Sequence, residues 1–467
     1  CVALYFMLCR FRLARGATVF LLAASLLYYG WWDPRYLALI LGSIVVNYTV
    51  GQALRGGGGE RKGVLALGIV LNLGVLGYFK YADFIAANVA ALAGGRRGGL
   101  DIVLPLAISF FTFQQIAYLV DSYRGEARER DFLDYSLFVS FFPQLIAGPI
   151  VHHAEMMPQF ARLRNKVLNW ENVSRGCVLF AVGLFKKVVI ADTVSQWARM
   201  GFDGSGELHV VAAWGATLSY CAQIYYDFSG YSDMAIGSAL LFNIRLPQNF
   251  NSPYRAVGLR DFWRRWHITL SRWLRDYLYI PLGGNRFSMG KTCLNLLVVF
   301  VLGGLWHGAG WTFVAWGALH GSGMVVQRLW DRRGPAVPRW LGRSLTFLFV
   351  TLTWVFFRAR TFPDAVRMLR GLSGFSGVML PESWESWAGW LSGAGVEFGR
   401  AGFAIGADKN TPWWLLTVFA MAFLCPNSLR IRDRVRPRVW WGLGAGAVIA
   451  YCVLKMTTVS EFLYYQF

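Results

Sequence analysis

Two stretches decide how the chain is read. They are Pro247–Arg286, PQNFNSPYRAVGLRDFWRRWHITLSRWLRDYLYIPLGGNR, and Leu305–Gly321, LWHGAGWTFVAWGALHG. In the first, Pro247 and Pro253 with Asn249 and Asn251 predict irregular backbone. Asp261 is then a natural N-cap for a helix running to about Tyr279, before Pro281, Gly283 and Gly284 end it. At about 100° per residue, Arg264, Arg265, Arg272 and Arg275 share one arc. Trp263, Trp266, Leu270, Trp273, Leu274 and Tyr277 take the opposite face, with His267 at its edge. A helix cationic on one side and aromatic on the other suits a membrane interface. The second stretch predicts an apolar helix with one ionisable group, His320, well inside it.

Outward from this centre, the 467 residues are 55% hydrophobic and 15% charged, with mean hydropathy +0.40. Apolar runs recur along the whole chain, several long enough for a hydrocarbon core, which takes about 20 helical residues. Runs interrupted by Pro143, Pro149 and Gly230 read as re-entrant or half-buried helices. The expectation is an all-α polytopic membrane protein, residues 1–467 forming one integral-membrane domain with core motifs at 141–160, 225–237 and 247–321. The net charge of +20 comes from basic residues in short loops between apolar spans, a pattern of membrane topology rather than of a nucleic-acid groove. The seven cysteines show neither C-x-x-C nor metal-ligand spacing, so neither a disulfide framework nor a metal site is implied.

Taken in order, the basic clusters at 10–15, 55–62, 124–130, 328–343 and 430–438 are expected on the cytoplasmic side. The WWDP turn at Trp31–Pro34, the segment Phe362–Thr411 and the terminal SEFLYYQF then fall outside, and GGGG at 56–59 reads as a connector. Within 362–411, WESWAGWLSG predicts a short interfacial helix, with Trp384, Trp387 and Trp390 on one stripe. A segment of that length without a span is expected to dock a partner or lie on lipid.

No G-x-S-x-G, P-loop or dinucleotide fingerprint is present, so the chemistry falls to histidine. His152 and His153 read as interfacial residues after the Gly148–Pro149 break, and His307 as a group hydrogen-bonding backbone at a helix break. His320 lies about 8 residues, roughly 12 Å, inside its helix counted back from Arg328. Ionisable groups at membrane depth are functional by default, and Gly317, Gly321 and Gly323 permit another group to approach. Asp227 and Asp233 in YYDFSGYSDMAIG stand in apolar surroundings, either as structural glue or as a functional lining. A proton-coupled transporter or channel is the competing class, although no internal repeat supports it.

The blocks PQLIAGPIVHHAEMMPQF, YYDFSGYSDMAIG, NFNSPYRAVGLRDFWRRWHITLSRWLRDYLYIPLGGNR and GLWHGAGWTFVAWGALHG resemble the membrane-bound O-acyltransferase family, and most closely its bacterial alginate O-acetylase branch. The resemblance covers nearly the whole chain, and it implies a many-helix fold around a central tunnel. It also implies a cytoplasmic acyl donor and an essential histidine, which matches His320; a second family position, often His or Asn, matches His267. The WHxTLS block is shared with the D-alanylating branch, whose donor is a carrier protein, whereas PLGGNR favours the acetylating one. On this reading acetyl-CoA is the donor, no cofactor is held, and the phosphates meet Arg264, Arg265 and Arg272, or that arc meets anionic lipids instead. Trp306 and His307 are assigned to substrate binding. The implied partners are an exported polysaccharide, membrane lipids and an extracytoplasmic hydrolase-like acetyltransferase of the SGNH type. The implied location is the bacterial inner membrane.

Overall fold

The computed structural model describes residues 1–55, 61–95, 100–127, 131–456 and Leu463. The glycine run 56–59, the end of the 124–130 loop and all of SEFLYYQF except Leu463 lie outside the described residues. The described chain is helical almost throughout, as its apolar runs require where no water can satisfy a peptide group. Four helices among the described residues are long and apolar enough to cross a membrane: Arg35–Ala53, Lys62–Leu92, Met289–His307 and Arg339–Arg358. Thr411–Leu424 and Ser428–Arg434 form a further pair bent by 62°. The chain is a multi-pass membrane protein.

The bundle is built on Val210–Leu240, a helix of 31 residues, packed against Trp170–Phe185. The expected break at Gly230 is absent, because the residue is used for contact rather than for bending. A Cβ on Gly230 would meet the Gly183 carbonyl and one on Gly183 the Gly230 carbonyl; Gly176 and Gly237 repeat the arrangement seven residues away. Two antiparallel helices thus lie backbone against backbone, the small-residue packing that lipid surroundings favour. The same interface holds the carboxylates. Asp233 pairs with Lys186 at 2.6 Å and accepts from the Ser428 hydroxyl at 2.8 Å, while Asp227 pairs with Lys187 at 2.8 Å. Both are structural glue. Leu463 is buried and donates its N–H to Asp227, so this residue of the terminal segment packs against the bundle.

Pro143 does mark a break: Phe132–Ser140 and Phe142–Leu145 are separated at Phe141 and followed by irregular backbone to His152. The two ends of the bundle are tied by different contacts. At one end Arg15 meets Asp131 at 3.4 Å and Arg260 meets Asp331 at 3.2 Å. At the other, Tyr29 beside the WWDP turn donates to the Leu106 carbonyl, and Arg358 pairs with Asp203 at 2.7 Å. The segment 362–411 caps that second end. It opens with Phe362–Leu372, started by a reciprocal Thr361–Asp364 capping box. It continues through two parallel strands, Val378–Pro381 and Val396–Gly399. Between them the expected interfacial helix is a chain of short turns, Glu382–Trp384, Glu385–Ala388 and Gly389–Ala394, that leaves Trp384, Trp387 and Trp390 exposed.

Candidate active site

The helix expected from Asp261 to Tyr279 is two helices. Leu259–Trp263 starts at Gly258, and Ile268–Leu274 continues into the wider turns of Arg275–Tyr279. His267 stands at the break with φ 41°, a left-handed conformation that costs a side-chain-bearing residue about 1–2 kcal/mol. The side chain of Asn249 holds it there. Asn249 Oδ1 accepts from the Thr269 hydroxyl at 2.9 Å and the Thr269 N–H at 3.3 Å, and lies 3.1 Å from His267 Nδ1. An acceptor facing Nδ1 makes Nδ1 the protonated nitrogen and turns the lone pair of Nε2 away from Asn249. Asp261 caps nothing; it accepts from the Val257 N–H and pairs with Arg265 at 2.8 Å.

The second stretch forms a hairpin of Met289–His307 and Trp311–Arg333. Its helices touch through glycine: a Cβ on Gly304 would run into the Phe313 carbonyl and one on Gly317 into the Phe300 carbonyl. The space expected beside Gly317 and Gly321 for an incoming group is therefore filled by the hairpin's own first helix, and that beside Gly323 by Leu259 and Phe349. This packing drives His320 fully inside, between the rings of Trp316 at 4.8 Å and Trp263 at 5.2 Å. Its Nε2 lies 2.9 Å from the Thr353 hydroxyl, whose proton goes to the Val350 carbonyl. A hydroxyl that has given its one proton can only accept, so Nε2 is the donor. Nδ1 then carries the lone pair, and it has no hydrogen-bond partner among the described residues.

Beside these rings is a cavity of about 330 Å³. Its inner wall includes Trp263, Trp316 and His307, and its basic end Arg260, Arg264, Arg275 and Arg328. His307 is 3% exposed and its ring is 6.3 Å from that of His267 and 5.2 Å from that of Trp316. His320 stands one ring behind the wall. The indole N–H groups of Trp263, Trp306 and Trp316 are buried without a partner among the described residues. Each such donor costs about 1–3 kcal/mol, and the two that line the cavity, on Trp263 and Trp316, mark a place built for an occupant that accepts hydrogen bonds.

The arginine arc divides at the His267 break. Arg264 is exposed, lines the cavity and makes no ion pair among the described residues. Arg265 is taken by Asp261, and Arg272 forms a two-pronged pair with Glu155, its outer contact 2.9 Å. Arg275 lines the cavity and pairs with Asp276. His152 is half-buried and His153 buried. His152 lies 3.0 Å from the Tyr277 hydroxyl, which donates to Asp121, and His153 is buried beside Tyr118 and Phe138.

Several residues at the site escaped the sequence reading. Lys80, a cation inside an apolar span, donates to the carbonyls of Trp306 at 2.6 Å and His307 at 3.1 Å. Tyr81 donates to the Leu305 carbonyl at 2.6 Å. Together they cap the carbonyl end of Met289–His307, where the helix dipole is negative. A lone lysine in YFKY was the available signal. Thr353 and Asn249 gave none, since their partners are distant in sequence.

Comparison with known proteins agrees with this geometry. The description of the membrane-bound O-acyltransferase family matches residues 102–360, more than half of the chain and all of the site apart from Lys80 and Tyr81. The chain is 48% identical over 393 residues to a peptidoglycan O-acetyltransferase of Helicobacter pylori, covering 78% of this chain and 75% of that one. It is 42% identical over 381 residues to a probable alginate O-acetylase AlgI of Pseudomonas aeruginosa, covering 79% and 72%. A teichoic acid D-alanyltransferase of Bacillus subtilis is 25% identical over 280 residues, covering 56% and 70%. The transporter reading falls with these matches. A many-helix membrane fold, a cavity with a cationic end and His307 in its inner wall, and this extent of identity agree: the chain belongs to the membrane-bound O-acyltransferase family.

Proposed function

We propose that the protein takes an acetyl group from acetyl-CoA at the basic end of the bundle and passes it through the membrane for O-acetylation of an exported polysaccharide. The observation that carries this is the cavity itself, cationic at one end and walled at the other by imidazole and unpaired indole donors. Arg264, with Arg260 and Arg328, supplies charge for the donor's phosphates. The free indole N–H groups suit the thioester oxygen, on which negative charge develops.

His320 acts as the general base. Its Nδ1 takes the proton of an acceptor hydroxyl as that oxygen attacks the thioester carbon; the C–S bond breaks, and the imidazolium returns the proton to the departing thiolate. Trp263 and Trp316 screen His320 from the cavity, so the acceptor displaces one of these rings on entry. His267 orients the site from the opposite side through His307. A second assignment, His307 as the base, is favoured by its place on the cavity wall. The location is the inner membrane, and an extracytoplasmic transferase with its own serine receives the acetyl group near the exposed Trp384, Trp387 and Trp390. The polysaccharide is of the kind the relatives' names give, alginate or peptidoglycan.

Thiol release from acetyl-CoA by purified His320→Ala, with and without a soluble acceptor, tests the assignment. Acceptor-dependent release is expected to vanish in a variant that stays folded. Normal release, with loss confined to His307→Ala, moves the base to His307. Normal release by both variants defeats histidine catalysis here.

A further inference from the structure

A second pocket shares no lining residue with the candidate active site. It encloses about 220 Å³ between Arg162, Arg164 and Arg245, with Asn165, Asn169 and Asn172 in its wall and no carboxylate lining it. The wall is fixed by its own hydrogen bonds. Asn243, in a left-handed conformation, donates to the carbonyls of Asn165 at 2.9 Å and Val167 at 2.8 Å and accepts from Asn172 at 2.9 Å. Asn169 caps the helix that follows, accepting from the Glu171 and Asn172 N–H groups. Gln159 exchanges two hydrogen bonds with the backbone of Arg245, at 2.8 and 3.0 Å. The three guanidinium groups, by contrast, are exposed and make no hydrogen bond or ion pair among the described residues. A rigid amide wall carrying three unpaired arginines is a receptor for an anion with several oxygens.

The rim says which source of that anion fits. Leu163, Val167 and Trp170 are 76%, 67% and 67% exposed, interleaved in sequence with Arg162, Arg164 and Lys166. The helix Val2–Arg10 packs on this segment and ends in the same alternation, Arg10, Phe11, Arg12 and Leu13, with Phe11 68% and Leu13 55% exposed. Apolar and aromatic side chains left bare beside cations are the composition of the headgroup boundary, where the rings sit among acyl chains and the cations among phosphates. We propose that this pocket binds the phosphodiester headgroup of an anionic phospholipid of the cytoplasmic leaflet, with Arg162, Arg164 and Arg245 on the phosphate and Leu163, Val167 and Trp170 against its chains. The pocket is joined to the catalytic region by the Arg272–Glu155 pair, since Glu155 lies one turn before Gln159 on His153–Ala161.

The test is native mass spectrometry of the full chain released from mixed phosphatidylglycerol and phosphatidylcholine. The wild type is expected to retain phosphatidylglycerol selectively. Each of Arg162→Gln, Arg164→Gln and Arg245→Gln should weaken that retention about fivefold, with the Michaelis constant for acetyl-CoA unchanged. Leu163→Gln with Trp170→Gln should weaken it too, although no arginine is touched. Unchanged selectivity in the triple arginine variant overturns the proposal. So does a raised constant for acetyl-CoA, which would give the pocket to the donor. Displacement of the lipid by millimolar inorganic phosphate, with no effect of the apolar pair, would assign it to a free phosphate and overturn the lipid assignment.

Discussion

Replacing Thr353 by valine keeps the shape of the side chain and removes the oxygen that His320 Nε2 meets at 2.9 Å. In the resting enzyme the hydroxyl holds the proton on Nε2; without it, neither ring nitrogen has a partner among the described residues, and the reactive tautomer falls to about half, a factor of roughly two. In the transition state the imidazole becomes a cation. A hydrogen bond from a charged donor contributes about 1.5–3 kcal/mol and from a neutral one about 0.5–1.5 kcal/mol. The difference, about 1–1.5 kcal/mol, is realised only as the reaction proceeds. At about 1.36 kcal/mol per tenfold that is a factor of about 5 to 13. Thr353→Val should therefore lower kcat about 10- to 25-fold, with KM for acetyl-CoA unchanged, as expected when only the transition state loses a contact. Thr353→Ser, which keeps the oxygen, should stay near wild type. The assay is steady-state thiol release in detergent, with thermal unfolding as the control for folding. Wild-type kcat in Thr353→Val, or equal loss in the serine variant, would refute a base at His320 set by this hydroxyl.

His267→Ala should lower kcat by about 10- to 100-fold, an orienting group being only partly replaced by solvent; no change in kcat would leave it a packing residue. Arg264→Glu should raise KM for acetyl-CoA more than it lowers kcat, while Arg265→Glu, whose side chain is held by Asp261, should change KM less; equal effects in steady-state assays would contradict the division of the arc at His267. Lys80→Met strands the carbonyls of Trp306 and His307, at about 1–3 kcal/mol for each buried group, and should lower both the melting temperature and kcat. Alanine at Trp384, Trp387 and Trp390 together should reduce glycan acetylation in cells and leave thiol release by the purified protein intact; unchanged cell-surface acetylation in a correctly inserted variant would place the receiving partner elsewhere.

Helical architecture and the hairpin were legible because apolar periodicity and punctuation are local. So was the depth of His320, which needs only a count back from Arg328. What failed did so through contacts between distant residues. Nothing in WRRWHITLS announces a left-handed His267, since the side chain that stabilises it, Asn249, comes 18 residues earlier. Arg272 looked equivalent to Arg264 on a helical wheel; Glu155, 117 residues away, takes its guanidinium. Gly230 looked like a breaker and is a contact, because its partner carbonyl belongs to Gly183 on another helix. His320 read as a group open to an acceptor through its neighbouring glycines, and the backbone of Met289–His307 occupies that side.

The bond from Lys80 to the hairpin has a consequence for how the protein is made. The lysine enters the membrane with its apolar span, but the carbonyls it binds lie 226 residues later in the chain. At a synthesis rate of about 5–20 residues per second it waits roughly 11 to 45 seconds for them. During that interval the ammonium group has only Ser109 among the described residues of its own third of the chain, and a lysine at the helix centre raises the cost of insertion by about 2.5–3.5 kcal/mol. The strongly apolar residues around it, Gly63 to Phe79, must carry the span into the bilayer alone. Early translation therefore leaves the ammonium group short of hydrogen-bond acceptors until the hairpin arrives, so a later part of the candidate site completes an earlier one.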